Sequence, residues 1–267
     1  MELKFDSPSF KKRIFGMLGV DFYRLFHTPM LYIFLGIAAM IPALILGTSG
    51  DGNALYTNVW NSVAANKPLY TFSDIGEYAN MNMVFIFGGI MVSVFIGHDY
   101  SSGYVKQLFT THAKKQDYMM SKSIVCAFAM TLMCITYLIG SVAAGALVGL
   151  DFSADVPSLI IAVLSKMIMS LGWASLYTFL NVIFRKYFGL SIALSFLFGT
   201  GLPIIAIGAV LKNGAEHVLN IFIYGSSVFA CLDSGILTLI VCTVVSLIWA
   251  AIYNALGTLV LSKCDVY

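Results

Sequence analysis

The sequence predicts an all-α integral membrane protein, and three observations predict it. The chain of 267 residues is 59% hydrophobic and only 10% charged, whereas soluble domains carry about a quarter of their residues as Asp, Glu, Lys and Arg. Its mean hydropathy is +0.88. Apolar runs long enough for a membrane-crossing helix, which needs about 20 residues, recur six times, at about 30–47, 80–97, 122–150, 158–184, 188–211 and 234–261. The chain therefore reads as a cytoplasmic segment, 1–29, followed by a single transmembrane domain, 30–267.

In segment 1–29, Ser7 can act as an N-cap, Pro8 suits the first helical position and Pro29 stops the helix. Between them Phe10, Ile14, Leu18, Phe22, Leu25 and Phe26 recur at helical spacing, while Lys12, Arg13, Tyr23 and Arg24 fall away from that stripe. This is an amphipathic helix lying on the membrane surface, an elbow before the first span. It anchors that span to lipid, and its polar face is also placed to touch a partner protein. No short apolar segment with a small-residue cleavage site precedes it, so no removable signal peptide is expected.

The spans differ in what interrupts them. Pro42 in span 1 and Pro203 in span 5 are kink positions, and Gly199 and Gly201 precede the latter; close helix packing and a hinge both account for them. Span 3 carries the small-residue run GSVAAGALVG, Gly140 to Gly149. Span 4 carries Lys166, which either snorkels to the interface or lines a polar cavity on a substrate path. Between spans 5 and 6 the run VLNIFIYGSSVFACL, residues 218–232, is too short and too interrupted to span, and reads as a re-entrant or interfacial helix.

Basic residues give the orientation, because they are retained on the cytoplasmic side of short loops. Segments 1–29, 98–122, 185–186 and 262–267 hold 12 of the 15 Lys and Arg. Both termini are therefore expected in the cytoplasm.

Several chemistries lack their residues. There is no GxxxxGK[ST] phosphate loop and no HExxH, and the five cysteines form no CxxC or Cys/His cluster. Neither nucleotide hydrolysis nor a metal site is expected in this chain, and nothing points to nucleic acid. A serine hydrolase built from Ser226 or Ser227 with His217 lacks a third member. No acidic residue lies well inside a span, which removes the usual carboxylates of an ion-coupled carrier.

The polar run HDYSSGYVKQLFTTHAKKQDYMMSK, which ends at Lys122, is longer than a tight turn needs. Ser101 or Ser102 can cap a short helix with Tyr104, Leu108 and Phe109 on one face and Lys106 and Gln107 on another. A second basic helix, from Lys114 and Lys115 past Tyr118, then runs into span 3. Topological retention explains the lysines but not the apolar stripe. A docking surface explains both.

Six spans, an N-terminal elbow, a short outer segment before span 6 and a helical loop between spans 2 and 3 together resemble the permease subunit of ABC-2-type export transporters. The loop is the most specific match: an acidic residue closing span 2, a glycine, a basic residue, a tyrosine and a Ser-Lys pair read here as Asp99, Gly103, Lys106, Tyr118 and Ser121-Lys122. The family's Pro-Ser-Arg run is replaced by THAKKQ. The resemblance implies that this loop is a coupling helix seated in a separate ATPase subunit, with Asp99, Gly103, Tyr104, Lys106, Leu108, Lys114, Lys115 and Tyr118 as docking residues. It also implies two ATPase subunits, which would bind the ATP and Mg, and a second permease, identical or paralogous, in a bacterial cytoplasmic membrane. Spans with much aromatic surface and almost no buried charge suit an amphipathic or hydrophobic cargo: a peptide antibiotic, lipopeptide or drug, with self-protection or peptide secretion as the purpose. A polysaccharide or lipid-linked glycan exporter, a carrier that needs no ATP and a membrane-anchored sensor or scaffold are the alternatives.

Overall fold

The computed structural model describes residues 9–47, 58–64, 80–110, 113–203, 220–231 and 235–263. Among them there is no strand, only an isolated bridge between Asn58 and Asp151. The helices are α1 (Phe10–His27), α2 (Pro29–Gly47), α3 (Met83–Ser101), α4 (Tyr104–Thr110), α5 (Lys115–Val148), α6 (Val156–Ile183), α7 (Phe188–Gly199), α8 (Ile223–Phe229) and α9 (Ile236–Lys263). Five of these, α2, α3, α5, α6 and α9, are long and apolar enough to cross a membrane. The expected span 188–211 appears only as the 12-residue α7, and residues 204–211 lie outside the described ones, as do Ser7 and Pro8.

Helix breaks fall where the backbone demands them. Pro29 does not only end α1: it opens α2 after a one-residue break at Thr28, whose hydroxyl donates to the Arg24 carbonyl at 2.6 Å. Between α3 and α4, Gly103 has φ of +74°, a conformation that costs an L-residue about 1–2 kcal/mol. No atom lies within 4 Å of where its Cβ would be, so the requirement is conformational and not spatial. Gly103→Ala is expected to lower stability by about 1 kcal/mol, and Gly103→Asn by less, since Asn enters the left-handed region more readily. Thermal unfolding of the two variants in detergent checks the order.

The core joins α2, α3, α5 and α6. The Trp173 ring stacks between Phe85 and Tyr177, with centroids 5.5 Å away in each case, and the Tyr177 hydroxyl donates to the Phe85 carbonyl at 2.9 Å. Gly140 brings α5 directly against the Ala39 backbone of α2. A second, smaller core of Met17, Val105, Tyr118, Met119, Val182 and Leu261 forms where α1, α4, the start of α5 and the ends of α6 and α9 meet.

The kink and hinge candidates occupy different settings. Pro42 lies inside α2. Gly199 sits 3.0 Å from both the Ile86 Cα and the Tyr177 hydroxyl, measured from a Cβ it does not have. Gly201 has φ of +69° with the Tyr224 ring packed where a side chain would go, and Pro203 follows in a helical turn.

Candidate functional site

Four charged side chains from three helices meet where α3 ends and α5 begins. On α1 the buried positions Ile14, Met17, Asp21 and Leu25 recur at intervals of three and four residues, so Asp21 points the same way as the apolar residues and enters the packed interface. On α3 the last turn carries Asp99, and on α5 the second turn carries Ser121 and Lys122; all four of these polar residues are buried. The Lys122 ammonium is 2.7 Å from Asp21 and 2.6 Å from Asp99. Arg24, one turn beyond Asp21, forms an ion pair with Asp99 and stands 3.8 Å from Asp21. The Ser121 hydroxyl donates to the second Asp21 oxygen at 2.7 Å.

Two cations face two anions, so the cluster is neutral as a unit. A buried ion is tolerated only when paired and hydrogen-bonded, because the desolvation it suffers is otherwise not offset. Burial alone would lower the Arg24 pKa; the Asp99 carboxylate, with Tyr104 and Asp21 adding to it, more than compensates and holds it above the usual arginine value. The guanidinium is fixed as a cation. A further pair, Arg13 to Asp117 at 2.8 Å, ties the first turns of α1 and α5 beside the cluster.

The cluster also reaches α4. The ring of Tyr104, the first residue of α4, lies under the Arg24 guanidinium at 4.0 Å and within 5.4 Å of the Lys122 ammonium. Such cation–π contacts contribute about 2 kcal/mol when desolvated. Phe95 provides a second face, 4.7 Å from Lys122. Burial, followed by the nearby Asp21 charge, raises the Tyr104 phenol above its ordinary pKa, so it stays neutral. Displacing α4 therefore disturbs Arg24 and Lys122 directly, and through them α1, α3 and α5.

The residues expected to dock an ATPase divide by placement. Asp99 and Tyr118 are fully buried, facing neighbouring helices, with the Tyr118 hydroxyl 3.5 Å from Asp99. Leu108 and Phe109 are half-buried against the second core, so the apolar stripe of α4 turns inward. Lys106 and Gln107 face outward, as does Lys114 just ahead of α5. Lys115 donates to the Leu261 carbonyl near the end of α9 at 2.6 Å.

On α1, Ile14 is buried and Leu18 and Phe22 are half-buried, with the Phe22 ring edge-on to Phe128 of α5 at 5.2 Å. Phe10 and Lys12 are exposed, and Arg13 and Arg24 are the residues already paired. Lys166 does not reach the surface: its buried ammonium donates to Asn82 at 2.9 Å and to the Ser227 carbonyl of α8 at 3.2 Å. The Trp173 indole donates to the Ser227 hydroxyl at 2.8 Å. Among the described residues no three His, Cys, Asp or Glu side chains are grouped to hold a metal.

Sequence reasoning missed Asp21. The available signal was a carboxylate at helical spacing with Ile14, Met17 and Leu25, together with opposite charges at the ends of spans 2 and 3. In the sequence Lys122 reads as one of the basic residues that set the orientation and as half of a Ser-Lys pair; its place between two carboxylates required the packing of three helices.

No curated protein matches the chain. The family model described as ABC-2 family transporter protein matches residues 18–202, a stretch that takes in Asp21, Arg24, Asp99 and Lys122 and runs from α1 through α7. With more than half of its length matched, this chain belongs to the ABC-2 transporter family and is a multi-pass membrane subunit of an ABC transporter.

Proposed function

We propose that this subunit exports an amphipathic or hydrophobic cargo, such as a peptide antibiotic, a lipopeptide or a drug, using ATP hydrolysed by a separate partner. The observation that carries the coupling part of the reading is the contact of Tyr104 with Arg24, which joins α4 to a charge cluster shared by three longer helices. In this reading α4 is the coupling helix. The ATPase meets its outward residues Lys106 and Gln107 together with Lys114, while Tyr104 and Leu108 face inward and pass the displacement on. The α1 helix is the elbow, and its exposed Phe10, Phe15 and Phe26 rest in lipid.

The complex holds two ATPase subunits and a second permease, in a bacterial cytoplasmic membrane with both termini inside. Support for a hydrophobic cargo comes from the same scarcity of charge that marks the sequence: α2, α7 and α9 carry no Asp, Glu, Lys or Arg except the terminal Lys263. Such a surface offers dispersion and burial, not ion coordination.

The deciding experiment is purification of the chain from its native host at low salt, followed by identification of what accompanies it and an ATPase assay. A stoichiometric nucleotide-binding subunit is expected. Reversing Lys106 and Lys114 to glutamate is expected to weaken that association about tenfold or more, since two like charges would replace two attractive ones. Membrane insertion is expected to be unchanged. A partner that stays bound after both reversals would mean that this surface is not where it docks.

A further inference from the structure

Beyond the coupling cluster, an open groove of about 700 Å³ runs between α5 and α9, inside the ~300–1,000 Å³ range of ligand sites. Its walls are Gln116, Met120 and Ile124 on one side and Ala251, Ala255 and Leu259 on the other. From Leu247 to Leu259, the positions of α9 that line it cover about 18 Å at 1.5 Å per residue, close to the depth of one leaflet of a ~30 Å hydrocarbon core.

The floor has polar atoms, but they are already paired. The Ser123 hydroxyl donates to the Asn254 side-chain oxygen at 3.0 Å, and the Asn254 amide donates to the Ala250 carbonyl at 2.8 Å. Apart from the Gln116 amide at one end, what remains facing an occupant is apolar. Among the described residues, positive charge gathers at one end. Lys115, next to Gln116, bonds the Leu261 carbonyl at 2.6 Å and so sits between the two helices, and Lys263 is exposed in the last turn of α9.

An apolar trough one leaflet deep with two ammonium groups at its membrane-surface end matches a molecule that is an acyl chain below and an anion above. We infer that the groove between α5 and α9 holds one anionic phospholipid, with an acyl chain between Ile124 and Ala251 and its phosphate at Lys115 and Lys263. The site does not depend on which face of the membrane the lysines occupy, on α4 docking an ATPase, or on the cargo.

The test is native mass spectrometry of the purified chain, delipidated and then titrated with phosphatidylglycerol or phosphatidylcholine of identical acyl chains. Wild type is expected to hold one phosphatidylglycerol per chain about thirtyfold more tightly than phosphatidylcholine, from two basic residues acting on an anionic lipid. Filling the groove with Ala251→Leu and Ala255→Leu is expected to abolish retention of both lipids, and Lys115→Gln with Lys263→Gln is expected to remove the preference while leaving phosphatidylcholine binding as it was. Should the double leucine variant fail to elute as a single species, Ala255→Leu alone is expected to lower retention at least tenfold. Equal affinity for the two lipids, or retention that survives a filled groove, would overturn the inference. So would a chain dimer, in place of a lipid adduct, that is lost on filling the groove.

Discussion

Lys122→Met is expected to lower stability by about 3–5 kcal/mol, the range for removing one partner of a buried ion pair. The methionine matches the lysine stem in length, so little packing volume is lost. What remains is two carboxylates, Asp21 and Asp99, against the single guanidinium of Arg24, in a site where Asp21 and Asp99 are both fully buried. Adding Asp21→Asn should recover a large part of the loss, because the pair Arg24 and Asp99 is then neutral again. Asp21→Asn alone should also destabilise, leaving two cations for one anion. Thermal unfolding of the four proteins in detergent gives the coupling energy, expected at 1 kcal/mol or more in the compensating direction. Strictly additive losses would show that the four charges do not act as a unit.

The second large effect is expected at Gly140. A Cβ there would overlap the Ala39 carbonyl group, which is helix backbone and has no rotamer to retreat into. Gly140→Val should therefore separate α2 from α5 and cost about 3 kcal/mol, the upper part of the range for overpacking. Gly149→Ala, at a position with no neighbour within 4 Å, tests backbone conformation without contact. Its loss should be smaller, about 1–2 kcal/mol. Denaturation midpoints and the fraction recovered as a single species on gel filtration distinguish the two. An unaffected Gly140→Val would mean that α2 can shift along α5 without losing its packing.

Five of the six expected spans were legible because hydrophobic length is a property of one helix read alone; the span expected at 188–211 is described only as the 12-residue α7. The basic helix expected ahead of span 3 and the span itself form one continuous helix, α5, because the polar Asp117, Tyr118 and Ser121 do not interrupt it. Faces were harder. The stripe Tyr104 and Leu108 was correctly apolar, but periodicity cannot say whether such a stripe meets a partner or the chain's own second core. The loop pattern likewise drew attention to Asp99 and Tyr118 without revealing that both point inward. Asp21 escaped entirely, since its meaning lies in contacts with Ser121 and Lys122, 100 and 101 positions away, on a helix whose rotation against α1 no local pattern encodes.

The sequence separations in the charge cluster set an order of events during synthesis. Arg24 waits 75 residues for Asp99, and Asp21 waits 101 residues for Lys122. At about 5–20 residues per second the second interval is roughly 5–20 s. During that time Asp21 has Arg24, three residues along the same helix, as its available cation. The nascent α1 thus carries its own provisional counter-charge until α3 and α5 arrive. Completion of the cluster then waits on α5: a chain that stops before residue 122 leaves two carboxylates with one guanidinium, so α1 and α3 are joined through Arg24 and Asp99 without the second cation that makes the cluster neutral.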